Sequence, residues 1–457
     1  MRFPGLTGLQ RTGGSPAIAY LCGMYTSFIR QLGIRELNEM QLKMLGLARP
    51  GTDLVLIAKT GSGKTLAFLL PLLGMLNPEL SGPQAMIITP SRELALQIES
   101  VFRKMQTGFR ITALYGGHAV KIERNNLNEP PPLLVGTPGR IADHLRREHF
   151  DPSGISTLVL DEFDKSLELG FEKEMAFIIG KLAGLKTRIL TSATRMEDIP
   201  AFTGTENPVF LDYTLDDGQI KLDVNLLKAE GNDKLDVLFR LICSLGNDPA
   251  LIFCNHREAV ERISALLGLR GVIHGIYHGG MEQEARELAL VRFRNGTHHT
   301  LITTDLASRG LDIPEIRHVV HYQMPASETV WLHRNGRTAR MQAAGTAWIV
   351  LAAEEEVPAF VAGASGPVLS PEEAGLPDFP EYETLYFSLG KKDKISRGDI
   401  AGFLMRQGGL KADEVGQISV ADHASYAAVK RHLCRKLLAD LKGKSLKKRQ
   451  LKIEIAG

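Results

Sequence analysis

The sequence predicts an α/β protein: two parallel-sheet units in tandem, followed by a small α+β module in the order βαββαβ. Three observations carry this. Short apolar, β-branched runs alternate with helical stretches over residues 54–213, as in a sheet whose strands are buried on both faces. The alternation restarts after "TLDDGQIKLDV" and continues to residue 351. Beyond an acidic Pro- and Gly-rich stretch, the composition turns basic and the element lengths shorten.

Taken in order, residues 1–23 lack both periodicity and the n-region and h-region order of a signal peptide. They are expected to be a disordered tail, or an over-extended start before Met24 and its helix "YTSFIRQLG". The first unit is expected over 24–215, with strands at "LVLIA", "AMIIT", "ITALY", "PLLVG", "TLVLD" and "RILTS". The second is expected over 216–353, with strands at "ALIFCN", "GIYHG", "TLITT", "RHVVHY" and "TAWIVL". Residues 354–383 read as a linker and 384–457 as the terminal module.

Composition narrows the function. No apolar run approaches the roughly 20 residues that span a bilayer. Cys22, Cys243, Cys254 and Cys434 lie far apart without metal spacing, which favours a reducing, cytoplasmic setting and argues against zinc. From residue 384 onward, 16 Lys/Arg face 7 Asp/Glu, a balance of +9; since the whole chain carries +2, the rest carries −7. A basic module on an acidic body points to a polyanionic partner.

"LVLIAKTGSGKT" sets a strand directly before Ala58-Lys59-Thr60-Gly61-Ser62-Gly63-Lys64-Thr65, and "LAFLLPLL" continues as a helix. Strand, Gly-rich loop and helix together make a phosphate-binding loop. Gly61 and Gly63 let backbone N–H groups turn toward phosphate oxygens at a helix N-terminus. Lys64 is placed to reach the β/γ-phosphates of ATP, and the Thr65 hydroxyl to ligate Mg²⁺.

"LVLDEFDKSLELGF" is by itself as compatible with an acidic turn as with a metal site. Lys64 tips the balance, because a phosphate-binding loop needs a second carboxylate at the end of another central strand. Asp161 supplies it as a Mg²⁺ ligand, and Glu162 is positioned to deprotonate the attacking water.

Further stretches fall into a series: "PSRELALQI", "GG" (116–117), "TPGR", "DEFD", "SAT", "YHGGMEQEAREL", "TTDLASRGLDIP" and "HRNGRTAR". In this order and spacing, over about Leu32 to Leu351, the chain resembles the DEAD-box RNA helicases of superfamily 2. The resemblance implies two RecA-like domains and the following roles. Gln41 reads the adenine edge, for which a paired amide donor and acceptor are suited. Arg92, Gly116, Gly117, Thr137, Gly139 and Arg140 grip or approach the RNA backbone. Asp164, Ser192, Thr194 and His333 couple the ATP and RNA sites. Asp305 contacts the ribose, and Thr304 and Arg309 contact RNA with Gln283 and Arg286 in support. Arg337 and Arg340 act as arginine fingers on the γ-phosphate.

The chain departs from the family at Phe163, where Ala is usual, so a bulky ring must find room beside the metal site. It departs also at Asn335 and Ala339, usually Ile and Gly, and at Leu37 and Glu39, usually Pro. The terminal module resembles the RNA-binding domain of the DbpA-type helicases, which implies a structured ribosomal RNA target and a role in large-subunit assembly; the enzyme is expected to be a monomer. Tyr426 is the candidate stacking residue, Tyr386 or Phe387 is expected in the core, and Lys391, Lys392, Lys394, Arg397 and "KSLKKR" are expected to meet phosphates. Two alternatives stay open: a DNA-directed helicase of the same superfamily, and an ATP-switched RNA clamp.

Overall fold

The computed structural model describes residues 25–59, 61–117, 120–195, 198–214, 222–308, 316–338, 345–361 and 375–457. The expected tail, residues 362–374 of the linker, Thr60, Arg309, Ala339 and Arg340 lie outside these residues. The chain divides into two compact units at Gly218/Gln219.

The first unit is a seven-stranded parallel sheet. Its strands are β1 (Leu54–Ile57), β2 (Ala85–Ile88), β3 (Ile111–Leu114), β4 (Leu133–Gly136), β5 (Thr157–Leu160), β6 (Thr187–Ser192) and β7 (Val209–Asp212), in the order β3-β4-β2-β5-β6-β1-β7. All of β1, β2, β4 and β5 is buried, because helices cover both faces of a parallel sheet. Successive residues therefore feed two cores. Leu54 and Leu56 join the cluster with Leu66, Phe68 and Ile98, while Val55 and Ile57 join the one with Leu160, Leu190 and Met175. β6 lies between β5 and β1, pairing Leu190 with Leu160 and Ser192 with Ile57. The C-terminal ends of these three strands carry the three stretches singled out for ATP, as open α/β sheets do at their ligand sites.

In the second unit, β8 (Leu222–Lys228), β9 (Ala250–Phe253), β10 (His274–Tyr277), β11 (Thr300–Thr303), β12 (His318–His321) and β13 (Gly345–Leu351) form a parallel sheet ordered β10-β11-β9-β12-β13-β8. β7 and β8 were not expected from the sequence. Both are edge strands, β7 mostly exposed and β8 mostly half-buried, so neither shows the continuous apolar run of a central strand.

The terminal module belongs to this second unit. Its antiparallel sheet runs β15 (Val415–Val420), β16 (Ser425–Lys430), β14 (Tyr382–Phe387), β19 (Ile453–Ile455), with helices Arg397–Arg406 and Cys434–Leu441. The βαββαβ order matches expectation, and a small hairpin of β17 (Ser445–Leu446) and β18 (Arg449–Gln450) is added to it. Leu385 and Phe387 face the helices with Phe403, Leu404 and Leu437. Thr384, on the opposite face, is fully buried against the larger domain. Its hydroxyl accepts from Asn295 Nδ2 at 3.0 Å and shares a 2.7 Å hydrogen bond with Thr297. Arg431 bridges the same junction, donating to the Thr297 carbonyl at 3.0 Å and to Glu383 at 2.6 Å.

Two histidines of the second unit are buried as neutral groups. Burial pushes His298 and His321 down from 6.5 to about 3, aided by Arg292 and Arg334 respectively. A folded pKa below the unfolded one means that only the unfolded chain takes up protons between those values. Stability is therefore full above pH 6.5 and falls as the pH drops toward 3, by about 1.4 kcal/mol per pH unit for each histidine. Urea unfolding followed by Trp331 and Trp348, the two tryptophans and both in this unit, should show a clearly lower midpoint at pH 5 than at pH 7.5. Equal midpoints would contradict the buried neutral assignment.

Candidate active site and RNA contacts

The Gly-rich loop leaves β1 and turns through left-handed glycines, with φ of 83° at Gly61 and 93° at Gly63. Gly63 is the N-cap of the helix Lys64–Met75 and makes no side-chain cap hydrogen bond to its first turn. At φ 93° position 63 favours glycine, and a Cβ there would lie 2.5 Å from Gln41 Nε2 and displace that amide. Lys64 donates from Nζ to the Ala58 carbonyl at 2.5 Å and to the Ser192 carbonyl at 3.4 Å. Thr65 and Ser62 are half-buried at the loop.

Gln41 lies against this loop. Its Oε1 accepts the Asn38 N–H at 3.0 Å and its Nε2 donates to the Gly63 carbonyl at 3.2 Å. Asn38 closes a capping box with Gln41 and donates from Nδ2 to the Ser62 carbonyl at 2.9 Å. A primary amide has two N–H groups and two acceptor sites, so each end of Gln41 keeps capacity for an adenine edge. Asn38 was not singled out in the sequence, although its place three residues before Gln41 is a helix-start signature.

Asp161 and Glu162 follow β5 and are buried. The Thr191 hydroxyl donates to Asp161 Oδ1 at 2.5 Å and accepts the Glu162 N–H at 3.2 Å. Burial pushes the Asp161 carboxyl above the usual carboxylate range, while the Thr191 hydrogen bond and the Lys64 charge pull it down. Glu162 adopts the left-handed conformation, φ 47° and ψ 52°, at the start of helix Phe163–Glu168. A carboxylate and the Thr65 hydroxyl are hard oxygen donors beside a phosphate cradle, a set whose chemistry fits a magnesium triphosphate.

The coupling residues are arranged one step differently from expectation. Asp164 accepts from the Ala193 N–H at 3.3 Å and the Thr194 hydroxyl at 3.0 Å, both through Oδ2. The Ser192 hydroxyl instead donates to the Thr194 carbonyl at 2.6 Å, so Asp164 grips the turn after Ser192. Phe163 is fully buried and turns away from the carboxylates into the core with Leu160, Leu190 and Ile178, 6.2 Å from the Phe202 ring. The expected crowding beside the metal site is relieved in this way.

Arg92 donates to the Gly116 carbonyl at 3.2 Å, and a Cβ on Gly117, at φ 101°, would collide with its guanidinium. Thr137 caps the helix Pro138–Arg146 through backbone geometry, and Gly139 faces open space. Arg140 lies 3.5 Å from Glu123, a buried carboxylate that also accepts the Tyr115 N–H at 2.8 Å and pairs with His144 Nε2 at 2.7 Å. One carboxylate thus ties the "GG" loop to the "TPGR" helix. Sequence reasoning missed Glu123, since a Glu in "KIERNN" reads as a solvated helix face.

In the second unit, fully buried Arg334 grips Asp305 with two donors, Nε to Oδ1 at 2.6 Å and Nη2 to Oδ2 at 3.1 Å. It also donates to Asn255 Oδ1 and to the Gln323 carbonyl, each at 2.7 Å, and lies over the Phe253 ring. Asp305, expected at a ribose, is held in place by Arg334, a residue the sequence reading did not single out. Arg337 and His333 are buried on the same segment. Asn335 has a partner that explains the departure from Ile: its Oδ1 meets Nε2 of buried His321 at 3.1 Å. Thr304 is half-buried after β11, its N–H donating to the Tyr277 carbonyl.

In the terminal module, Phe387 is core, whereas Tyr386 and Tyr426 pair at 5.8 Å on the sheet face shared with Thr384. That face packs on the larger domain, and burial with the neighbouring Tyr386, Glu287 and Glu284 raises the Tyr426 pKa. The aromatic pair is therefore not an open stacking platform. Several expected phosphate ligands are already engaged: Lys447 with Asp399, Arg449 with Asp393, Lys444 with the Gln407 carbonyl. Lys391, Lys392 and Lys448 are on the exposed side.

Residues 38–201 match the DEAD/DEAH box helicase family, 233–342 the helicase conserved C-terminal domain and 384–455 the DbpA RNA binding domain. The chain belongs to the DEAD-box ATP-dependent RNA helicases, and is an ATP-hydrolysing, RNA-binding enzyme. Within that family it is similar to the ATP-dependent RNA helicase DbpA of Escherichia coli (strain K12), 30% identical over 438 residues, 93% of this chain and 96% of that protein. DbpA of Bacillus subtilis (strain 168) is also 30% identical, over 458 residues and the same shares. Among solved structures, S. cerevisiae Dbp5 bound to RNA and ADP BeF3 matches with a TM-score of 0.64 at 27% identity, covering 75% of this chain and 88% of that one.

Replacing Phe163 by Ala should cost about 3–5 kcal/mol through loss of a buried ring. Nucleotide affinity of the folded protein should stay unchanged. Denaturation followed by circular dichroism, beside nucleotide titration, checks both; a weakened affinity without destabilisation would place the ring in the ATP cleft after all.

Proposed function

We propose that this helicase remodels structured ribosomal RNA during assembly of the large ribosomal subunit, acting as a cytoplasmic monomer. The observation that carries the catalytic part is the convergence of Lys64, Asp161 and Glu162 at the ends of β1 and β5, on either side of β6. The DbpA-type module, with its excess of basic residues, supports the ribosomal RNA part.

The proposal assigns the following roles. Gln41 reads adenine, and the Ala58–Thr65 loop, including Thr60, Ser62 and the two glycines, holds the phosphates. Asp161 and Thr65 would hold magnesium, which would neutralise phosphate charge. Glu162 orients and deprotonates the attacking water. Arg337 and Arg340 stabilise charge on the transferring phosphoryl oxygens through planar, delocalised guanidinium groups. Arg92, Gly116, Gly117, Thr137, Gly139, Arg140, Thr304 and Arg309 hold or admit the RNA backbone, which makes the helicase core tolerant of sequence. Asp164, Ser192, Thr194 and His333 link nucleotide and RNA. Lys391, Lys392 and Lys448 deliver the enzyme to its target.

Replacing Glu162 by Gln should lower the kcat of RNA-stimulated ATP hydrolysis by about 10²-fold or more with ATP binding retained. Turnover at the parent rate would remove Glu162 from the role of base. Replacing Lys391, Lys392 and Lys448 together by Ala should weaken binding to ribosomal RNA fragments. It should also flatten the salt dependence by about 0.7 in log–log slope per lost phosphate contact. An unchanged slope would rule out these lysines as phosphate ligands. Strand separation measured beside hydrolysis distinguishes a helicase from a clamp, which would hydrolyse without separating.

A further inference from the structure

We infer that Thr191 is a positioning residue for ATP hydrolysis, its single hydroxyl fixing both the carboxylate of Asp161 and the backbone of Glu162. The inference rests on the reading of Asp161 and Glu162 as the hydrolytic pair, and neither the motifs nor the family matches assign a role to this residue.

Thr191 is the penultimate residue of β6 and has no exposed surface. A hydroxyl has one proton to give and two lone pairs to offer. The carboxylate of Asp161, 2.5 Å away, takes the proton, and the Glu162 N–H, 3.2 Å away, takes a lone pair. The Glu162 N–H can only donate and an ionised carboxylate can only accept, which sets the direction of both hydrogen bonds. One Asp161 oxygen is oriented by Thr191, which leaves the other free to face a cation.

The second bond answers a separate need. Glu162 is left-handed at φ 47°, a conformation that a residue with a Cβ adopts only when its surroundings hold it there. It precedes the helix Phe163–Glu168 without a side-chain cap, so its N–H falls between the strand ladder and the helix. The Thr191 hydroxyl receives that N–H and ties the strained turn to the sheet.

The support is rigid. Threonine is stiff at χ1, and β6 is flanked by β5 and β1, with Thr191 in register with Leu56. The next residues extend the same function along the strand end: the Ser192 carbonyl takes Lys64, and Ala193 and Thr194 hold Asp164. Groups one shell out from a metal or base govern its orientation, and their loss costs roughly 10–100-fold in metal affinity or activity.

The test replaces Thr191 by Val, which keeps the branched shape, and by Ser, which keeps the hydroxyl. Thr191→Val should lower kcat of RNA-stimulated ATP hydrolysis by about 10–100-fold with little change in KM for ATP. The gain in affinity for a fluorescent ADP analogue on going from EDTA to excess Mg²⁺ should shrink, while the metal-free affinity holds. Thr191→Ser should return both toward the parent. A merely structural role would lower the melting temperature without moving the Mg²⁺-dependent gain. If Thr191→Val does not fold, Thr191→Ala deletes the same hydroxyl and is measured in its place. Parent kcat and an intact Mg²⁺ gain in the hydroxyl-free variant, with Glu162→Gln inactive, overturn the inference alone. Parent rates in Glu162→Gln and Asp161→Asn overturn the underlying reading and the inference with it.

Discussion

The first unit depends on one constraint: an ammonium and three carboxylates are buried at the ends of three adjacent strands, where each must be compensated. A buried charge without partners costs several kcal/mol, so the local backbone is arranged around these groups. β6 carries most of that burden. Its last two residues and the turn after them offer a carbonyl to Lys64, N–H and hydroxyl groups to Asp164, and the Thr191 hydroxyl to Asp161 and Glu162. The fully buried strands β1 and β5 are what hold these ends at fixed spacing. A sheet buried on both faces cannot slip its register without exposing a full row of side chains.

The second unit meets the same problem with a different group. Arg334, with no exposed surface, is held by Asp305, Asn255 and a main-chain carbonyl, and rests over Phe253. Its five fixed donors allow one side chain to join the helix Glu328–Asn335 to the segment after β11. Asn335 and His321 form a neutral counterpart beside it, stacked on Trp331 at 4.4 Å. An aliphatic residue at 335 would leave His321 Nε2 without that partner. The departure at this position is thus matched by a buried histidine elsewhere in the fold.

The terminal module turns a face that could have stacked bases toward its own neighbouring domain. Thr384, Asn295 and Thr297 close a small polar junction, and Arg431 clamps its edge. Orientation of the module is thereby linked to the helix Gln283–Arg294 and the turn that follows it. Exposed basic side chains of the module lie on its helices and loops and include Lys448 at the hairpin tip, where Lys447 and Lys448 both adopt positive φ.

Much of this was legible in the sequence. Continuous apolar runs identified every central strand, and the Gly-rich loop with "DEFD" located the nucleotide end, because those signals are local: burial on both faces and φ above zero are written residue by residue. Edge strands β7 and β8 were missed because one-sided burial leaves no continuous run. Residues whose role is to satisfy another residue were missed too. Thr191 is 30 positions from Asp161, Arg334 is 29 from Asp305, and Glu123 is 21 from His144. No spacing rule joins such pairs. Phe163 shows the same limit from the other side: its ring had to find room near the metal site, and only packing placed it in the core. Covalent order thus determined the elements and the charged groups the chemistry needs. Tertiary structure decided which neutral neighbours hold them, because hydrogen-bond partners across a sheet are selected by proximity in space and not along the chain.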